Sequence, residues 1–135
     1  KKALDSSFTL IQQGDELVQK EDMSLQITQA NIADFELLKE ADTACLDVDK
    51  LVFPLLLRRW KDGDYFYPFG MKMKKKKLKR YFADNKFSRN AKARAWVLTD
   101  DKKRIVWLVG HRTDERFKIT EKTQAVCVIK METGV

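Results

Sequence analysis

The chain has little of what enzymes usually build active sites from. Its 135 residues include one histidine, His111, and two cysteines, Cys45 and Cys127. Any Cys/His or Ser/His pair would have to recruit His111, which follows Gly110 and precedes Arg112. It reads as a loop or RNA-facing residue rather than a base. The cysteines lie in alternating apolar runs without CxxC spacing, so they read as reduced core residues of a cytosolic protein. Five glycines are scattered singly, which excludes a glycine-rich phosphate loop. No apolar run approaches the roughly 18 residues that span a bilayer, and no stretch reads as a signal peptide. Nothing here reads as a complete active site. The chain begins Lys1-Lys2-Ala3 without methionine, so the expectation is a piece of a longer protein, or a processed chain.

What the chain does have is charge, unevenly placed. Residues 1–57 carry 5 Lys/Arg and 11 Asp/Glu, whereas residues 58–135 carry 22 and 9. Residues 58–94 alone hold 14 Lys/Arg against 3 Asp. With a pI near 9.4, this asymmetry favours a polyanionic partner such as nucleic acid over a small neutral ligand. An apolar share of 44% is enough for a real core without disulfides or metal.

Along the chain, period-two alternation marks strands at residues 8–12, 17–20, 24–29 and 44–48. Asn31 or Asp34 could cap a short helical turn through Leu38, and Asp49-Lys50 reads as a turn. Pro54 cannot donate to a ladder, so it belongs at a strand start or edge, and the strand is placed at 55–60. Later strands are expected at 96–99, 105–109 and 124–130, with a turn at 100–103. Between them the period changes. Leu78, Tyr81 and Phe82 fall at i, i+3, i+4, one apolar stripe of a helix ending near Asn85. Ser88 is a good N-cap for a second helix over 89–94. The sum is an α+β, mostly antiparallel β fold with a basic helical insertion around 74–94. Residues 1–43 form a strand-rich N-terminal part and 44–135 the main domain, expected as one compact unit.

Asp62 and Asp64 flank Gly63, and two turn aspartates are fewer oxygens than hard cations usually take; the pattern is a turn. Trp96 and Trp107 lie in strand patterns and read as core. Tyr65, Tyr67 and Phe69 could be core or could stack on bases. The sharpest signal is the row Lys72, Lys74, Lys75, Lys76, Lys77, Lys79 and Arg80. Placed on a helix held by the buried stripe, these cations would face a phosphate backbone. Like charges at i, i+4, such as Lys75/Lys79 and Lys76/Arg80, oppose a helix. The segment is read as holding no acid spaced to relieve them, so a partner should supply the anions. Arg112 and Arg116 are second candidates.

These residues resemble a known family. Phe53-Pro54-Leu55-Leu56-Leu57-Arg58-Arg59-Trp60-Lys61-Asp62-Gly63-Asp64, followed by Pro68-Phe69-Gly70-Met71, is similar to the PL-x-x-R-x-x-x-x-GD-x-x-x-P-x-G signature of tRNA(Ile)-lysidine synthetase C-terminal domains. The similarity runs from Leu46-Asp47-Val48 through Lys76-Lys77-Leu78, Tyr81-Phe82 and Ile105-Val106-Trp107-Leu108 to Asp114-Glu115-Arg116-Phe117. Ser88 and Trp96 stand where the family commonly has proline, which bears on the ends of the second helix. The resemblance implies a mostly β fold like a domain of the phenylalanyl-tRNA synthetase β chain. It implies a parent enzyme that uses ATP, with Mg, to attach lysine to the wobble cytidine of the isoleucine tRNA with a CAU anticodon. The SGGxDS motif for that chemistry belongs to an N-terminal catalytic domain and is absent here. This portion would be non-catalytic and cofactor-free, cytoplasmic and without membrane contact. It would bind the tRNA near its acceptor stem, with the catalytic domain of the same chain as a second partner. Arg58, Asp62, Gly63, Asp64, Pro68, Gly70 and Arg94 match the motif. Arg58 and Arg94 could bind RNA or order the Asp62–Asp64 turn by charge-assisted hydrogen bonds. The alternative is a protein-interaction or dimerisation module using the acidic 1–57 half, with a homodimer as its product.

Overall fold

The computed structural model describes residues 8–21, 23–36 and 40–133. Eleven strands, β1 Phe8–Ile11, β2 Leu17–Lys20, β3 Met23–Asn31, β4 Thr43–Asp47, β5 Leu55–Arg59, β6 Tyr65–Phe66, β7 Lys76–Lys77, β8 Trp96–Thr99, β9 Ile105–Leu108, β10 Arg112–Thr113 and β11 Ala125–Thr133, are joined by helices α1 Leu78–Asp84 and α2 Arg89–Ala93. All described pairings are antiparallel. One sheet runs β1-β5-β8-β9-β10 and the other β2-β3-β11-β4, while β6 and β7 pair separately. The α+β, mostly antiparallel fold read from the sequence is the one observed.

The strand patterns explain the layers. β3 buries Met23, Leu25 and Ile27 on alternate positions, and pairs with β11 from Met23 to Asn31. These residues meet Ile11, Leu46, Leu55, Leu57, Leu98, Trp107 and Ile129 in the core between the sheets. β8 is instead buried at every position, because both of its faces are covered. Trp96 and Leu98 face the inter-sheet core. Val97 joins a second cluster with Phe66, Leu78, Tyr81, Phe82 and Leu108. The expected stripe therefore clamps α1 to the back of the five-stranded sheet.

Local rules set the ends. Pro54 precedes β5, an interior strand, where a missing donor would break a ladder. Ser88 Oγ accepts from the Ala91 amide at 3.0 Å and opens α2, without the family's proline. Asn31 Oδ1 accepts from the Ala33 amide at 3.1 Å and starts a 3₁₀ turn, Ile32–Asp34; residues 37–39 of the expected turn lie outside the described residues. Asp47 caps a second such turn, Val48–Lys50.

The basic helix is shorter than its charge pattern suggested. It begins at Leu78, so Lys72, Lys74, Lys75, Lys76 and Lys77 are not helical. Lys77 occupies the cap position without a side-chain cap bond. A helix extended back from it would stack five like charges. Pairing Tyr65 with Lys77 and Phe66 with Lys76 satisfies the backbone instead, and Asp64 O accepts from the Leu78 amide at 2.9 Å. Lys72 and Met73 both have positive φ, 55° and 61°, which ends any helix before them.

Candidate nucleic-acid interface

Residues 67–75, the loop between β6 and β7, form a strap across the edge of the five-stranded sheet. Its anchor is Asp114, fully buried. The Asp114 carboxylate accepts from the Tyr67 amide at 2.9 Å and from the Arg116 amide at 2.8 Å. Arg116 Nε and Nη2 donate to its two oxygens, both at 2.9 Å. A carboxylate buried without donors is costly, and these four hydrogen bonds offset that cost. The Phe69 amide donates to Thr113 O at 2.9 Å, and the Gly70 amide to Glu115 Oε1 at 2.8 Å. Lys118 Nζ holds the other Glu115 oxygen at 2.5 Å. That hydrogen bond, against desolvation and with help from the Gly70 amide and the Lys118 charge, holds the Glu115 carboxyl below its ordinary pKa. Pro68 bridges Asp114 as an isolated β pair, and Gly70 turns with φ 88°. Pro68 and Gly70 are thus shape-setting residues of the strap.

The strap and α1 divide the seven cations of the sequence pattern into two groups. Lys72, Lys74 and Lys77 are exposed, and among the described residues no carboxylate lies within ion-pair reach of them. Lys75 Nζ sits 4.1 Å from the centre of the Tyr65 ring, a cation–π contact that leaves the charge unneutralised. Lys79 meets Asp62 at 3.4 Å with both side chains largely exposed, a pair of little energetic weight. Lys76 and Arg80 differ: both bind Asp84, at 2.5 and 3.2 Å. The Lys76 hydrogen bond, opposed by desolvation and aided by the charges of Lys76 and Arg80, lowers the Asp84 pKa. The expectation that no acid relieves this cluster is therefore corrected. Asp84 lies one turn after Arg80, and the β7–α1 corner brings Lys76 to it.

The arginines separate by partner. Arg58 forks onto Asp64 through two 2.9 Å hydrogen bonds, and Asp64 also accepts from the Lys61 amide at 2.8 Å. Arg58 orders the Asp62–Asp64 turn, in which Gly63 supplies φ 95°. Arg94 takes no part in ordering that turn. Its side chain is exposed, and its carbonyl accepts from Arg59 Nη1 at 2.5 Å. Arg116 is committed to Asp114 and stacks 4.3 Å from the Tyr67 ring centre, so it positions the strap. Arg112 Nη1 donates to Phe69 O at 3.1 Å, leaving its other N–H groups available. His111 packs on Phe87 with ring centres 4.6 Å apart, and desolvation lowers its pKa. That shift favours the neutral imidazole over the cation.

Trp96 and Trp107 are core, as expected. Cys127 is buried, and burial first, then the proximity of Cys45, pushes its thiol pKa up to about 12; Cys45 is only half-buried. Tyr65 and Phe69 are exposed at 42% and 47%, which favours a surface role over a core one. Asp114 and Asp84 were missed by sequence reasoning. An Asp two residues before the Arg it holds is a weak signal, whereas Arg80 and Asp84 at i, i+4 was a legible one. If Arg58 acts through the turn, Arg58→Lys should lower stability by about 1–3 kcal/mol in urea unfolding, because an ammonium cannot replace the fork. A loss below about 0.5 kcal/mol would show that the fork is dispensable to the turn.

Similarity to known proteins follows the same residues. A family model described as the TilS substrate C-terminal domain matches residues 55–130. A tRNA(Ile)-lysidine synthase of Parabacteroides distasonis is 54% identical over 96 residues, 71% of this chain and 22% of the relative. Its counterpart in Bacteroides thetaiotaomicron is 48% identical over 98 residues, 73% and 22% of the two chains. The chain spans about a fifth of the length of these curated relatives. A solved structure described as a crystal structure of the TILS C-terminal domain superposes with TM-score 0.77, covering 95% of this chain and 98% of that one. At 17% identity that likeness shows a shared fold.

Proposed function

The chain belongs to the family of TilS substrate C-terminal domains, and from that premise we propose that it is the tRNA-binding portion of a tRNA(Ile)-lysidine synthase. In this reading it is non-catalytic. It holds an isoleucine tRNA with a CAU anticodon by the acceptor-stem region, while the catalytic part of the parent enzyme, with ATP and Mg²⁺, attaches lysine to the wobble cytidine. The observation that carries the reading is the trio Lys72, Lys74 and Lys77, exposed and without carboxylate partners among the described residues; the first two ride on the strap fixed through the buried Asp114, and Lys77 lies on β7, which follows it. Lys75 and Lys79 join them as phosphate contacts, and Arg112 is a further one. Lys76, Arg80, Arg58 and Arg116 shape the surface. Arg94 keeps an exposed charge for the same partner.

The mechanism is electrostatic. Each lysine that meets a phosphate releases condensed counterions, so affinity should fall steeply with salt. With three to six of these cations on phosphates, log affinity for the tRNA should fall by about 2–5.4 per decade of salt on the DNA-derived scale. A filter-binding series in KCl measures this, and a slope near zero would overturn the reading. The isolated chain should show no lysine-dependent ATP/pyrophosphate exchange above a protein-free blank; measurable exchange would overturn its non-catalytic role.

A second reading has its own support. Phe8 and Leu10 of β1 and Leu17 of β2 are 46%, 50% and 60% exposed on two edge strands of the acidic half. Such a surface fits docking to the catalytic domain or to a second copy. Concentration-dependent self-association without RNA affinity would favour it.

A further inference from the structure

The two sheets part where their last strands meet. β4 ends one sheet and β10 the other, and a cleft of about 500 Å³ opens between them, lined by residues of both. Trp107, 1% exposed, lines it together with Ile119 and the exposed Phe69. Apolar side chains share the lining with the polar groups of Glu40, Thr43, His111, Arg112, Thr113 and Lys118. A concave site of apolar surface with placed polar groups suits a flat ligand with apolar faces and a hydrogen-bonding edge. Nucleobases have that chemistry.

Three further features narrow the ligand. Phe69 is held in place on both sides, by its own amide to Thr113 O at 2.9 Å and by its carbonyl from Arg112 at 3.1 Å. An exposed ring beside an anchored guanidinium is the pairing used for single-stranded nucleic acid, the ring for the base and the cation for its phosphate. Glu40 and the threonines can accept from an exocyclic amino group, which duplex pairing would otherwise hide. Phe69 also belongs to the strap that carries Lys72 and Lys74, so the cleft adjoins the unneutralised lysines.

We propose that the cleft between β4 and β10 receives one unpaired base next to a duplex lying on the lysines, stacked on Phe69 with its phosphate on Arg112. This rests on the RNA-binding reading above. Affinity is measured for one RNA duplex prepared blunt and with a short unpaired extension at either end. The wild-type chain should prefer at least one extended form. Phe69→Ala should cost that form about 5- to 100-fold in affinity, leaving the blunt duplex unchanged. Phe69→Leu, which keeps apolar bulk but no π face, should behave the same way, so a folding defect in the alanine variant cannot mimic the result. Equal wild-type affinity for blunt and extended RNA would overturn the cleft proposal and leave the lysine reading standing. An equal loss on both RNAs would do the same. If neither RNA binds, both readings fall together.

Discussion

Phe82→Ala should lower the unfolding free energy by about 3–5 kcal/mol, the range for deleting a buried ring. Phe82 is fully buried, with ring centres 4.9 Å from Trp60 and 4.8 Å from Phe87. α1 has seven residues, too few to be stable alone. Its position depends on Leu78, Tyr81 and Phe82 packing behind the five-stranded sheet. Truncating Phe82 removes the ring at the centre of that cluster and leaves a cavity. Binding should suffer only indirectly: α1 carries Asp84, which holds Lys76, and Leu78, whose amide ties the start of the helix to Asp64. Urea unfolding measures the effect, and a loss below about 1 kcal/mol would mean that the ring is not core.

That stripe was legible because helix periodicity survives any background of charge. Three apolar positions at i, i+3, i+4 identify the buried face whatever surrounds them. The longer strands were legible for the same reason, β3 alternating where one face is covered and β8 not because both are, whereas the two-residue strands β6, β7 and β10 were not. Ser88 could be read as a cap because its bond to the Ala91 amide is local. Apart from the local Arg80–Asp84 pair, what escaped is what depends on distant partners or on backbone conformation. Lys74–Lys77 read as helical from their neighbours, but pairing with Tyr65 and Phe66 decided otherwise. The left-handed backbone at Lys72 and Met73 has no sequence mark, since neither is glycine. Asp114 holds Tyr67 across 47 residues, a contact no spacing rule can supply.

The same distinction decides which lysines to change. Helical placement would make Lys74, Lys75, Lys76 and Lys77 equivalent, yet Lys76 is spent on Asp84. The informative variant therefore replaces Lys72, Lys74, Lys75 and Lys77 by alanine and leaves Lys76 in place. If two to four of the four touch phosphates, the slope of log affinity against log salt should flatten by about 1.5–3.5. Lysine is a flexible point charge without the planar fork that reads a guanine edge, and side chains do not enter the deep major groove of duplex RNA. Affinity should thus fall alike for tRNAs with different stem sequences. Lys76→Ala serves as the control: it breaks the pair with Asp84 but should leave the slope within about 0.5 of wild type. An unchanged slope in the fourfold variant would return these lysines to a solvated face. A loss confined to one stem sequence would mean base readout, and phosphate recognition would be the wrong description of this surface.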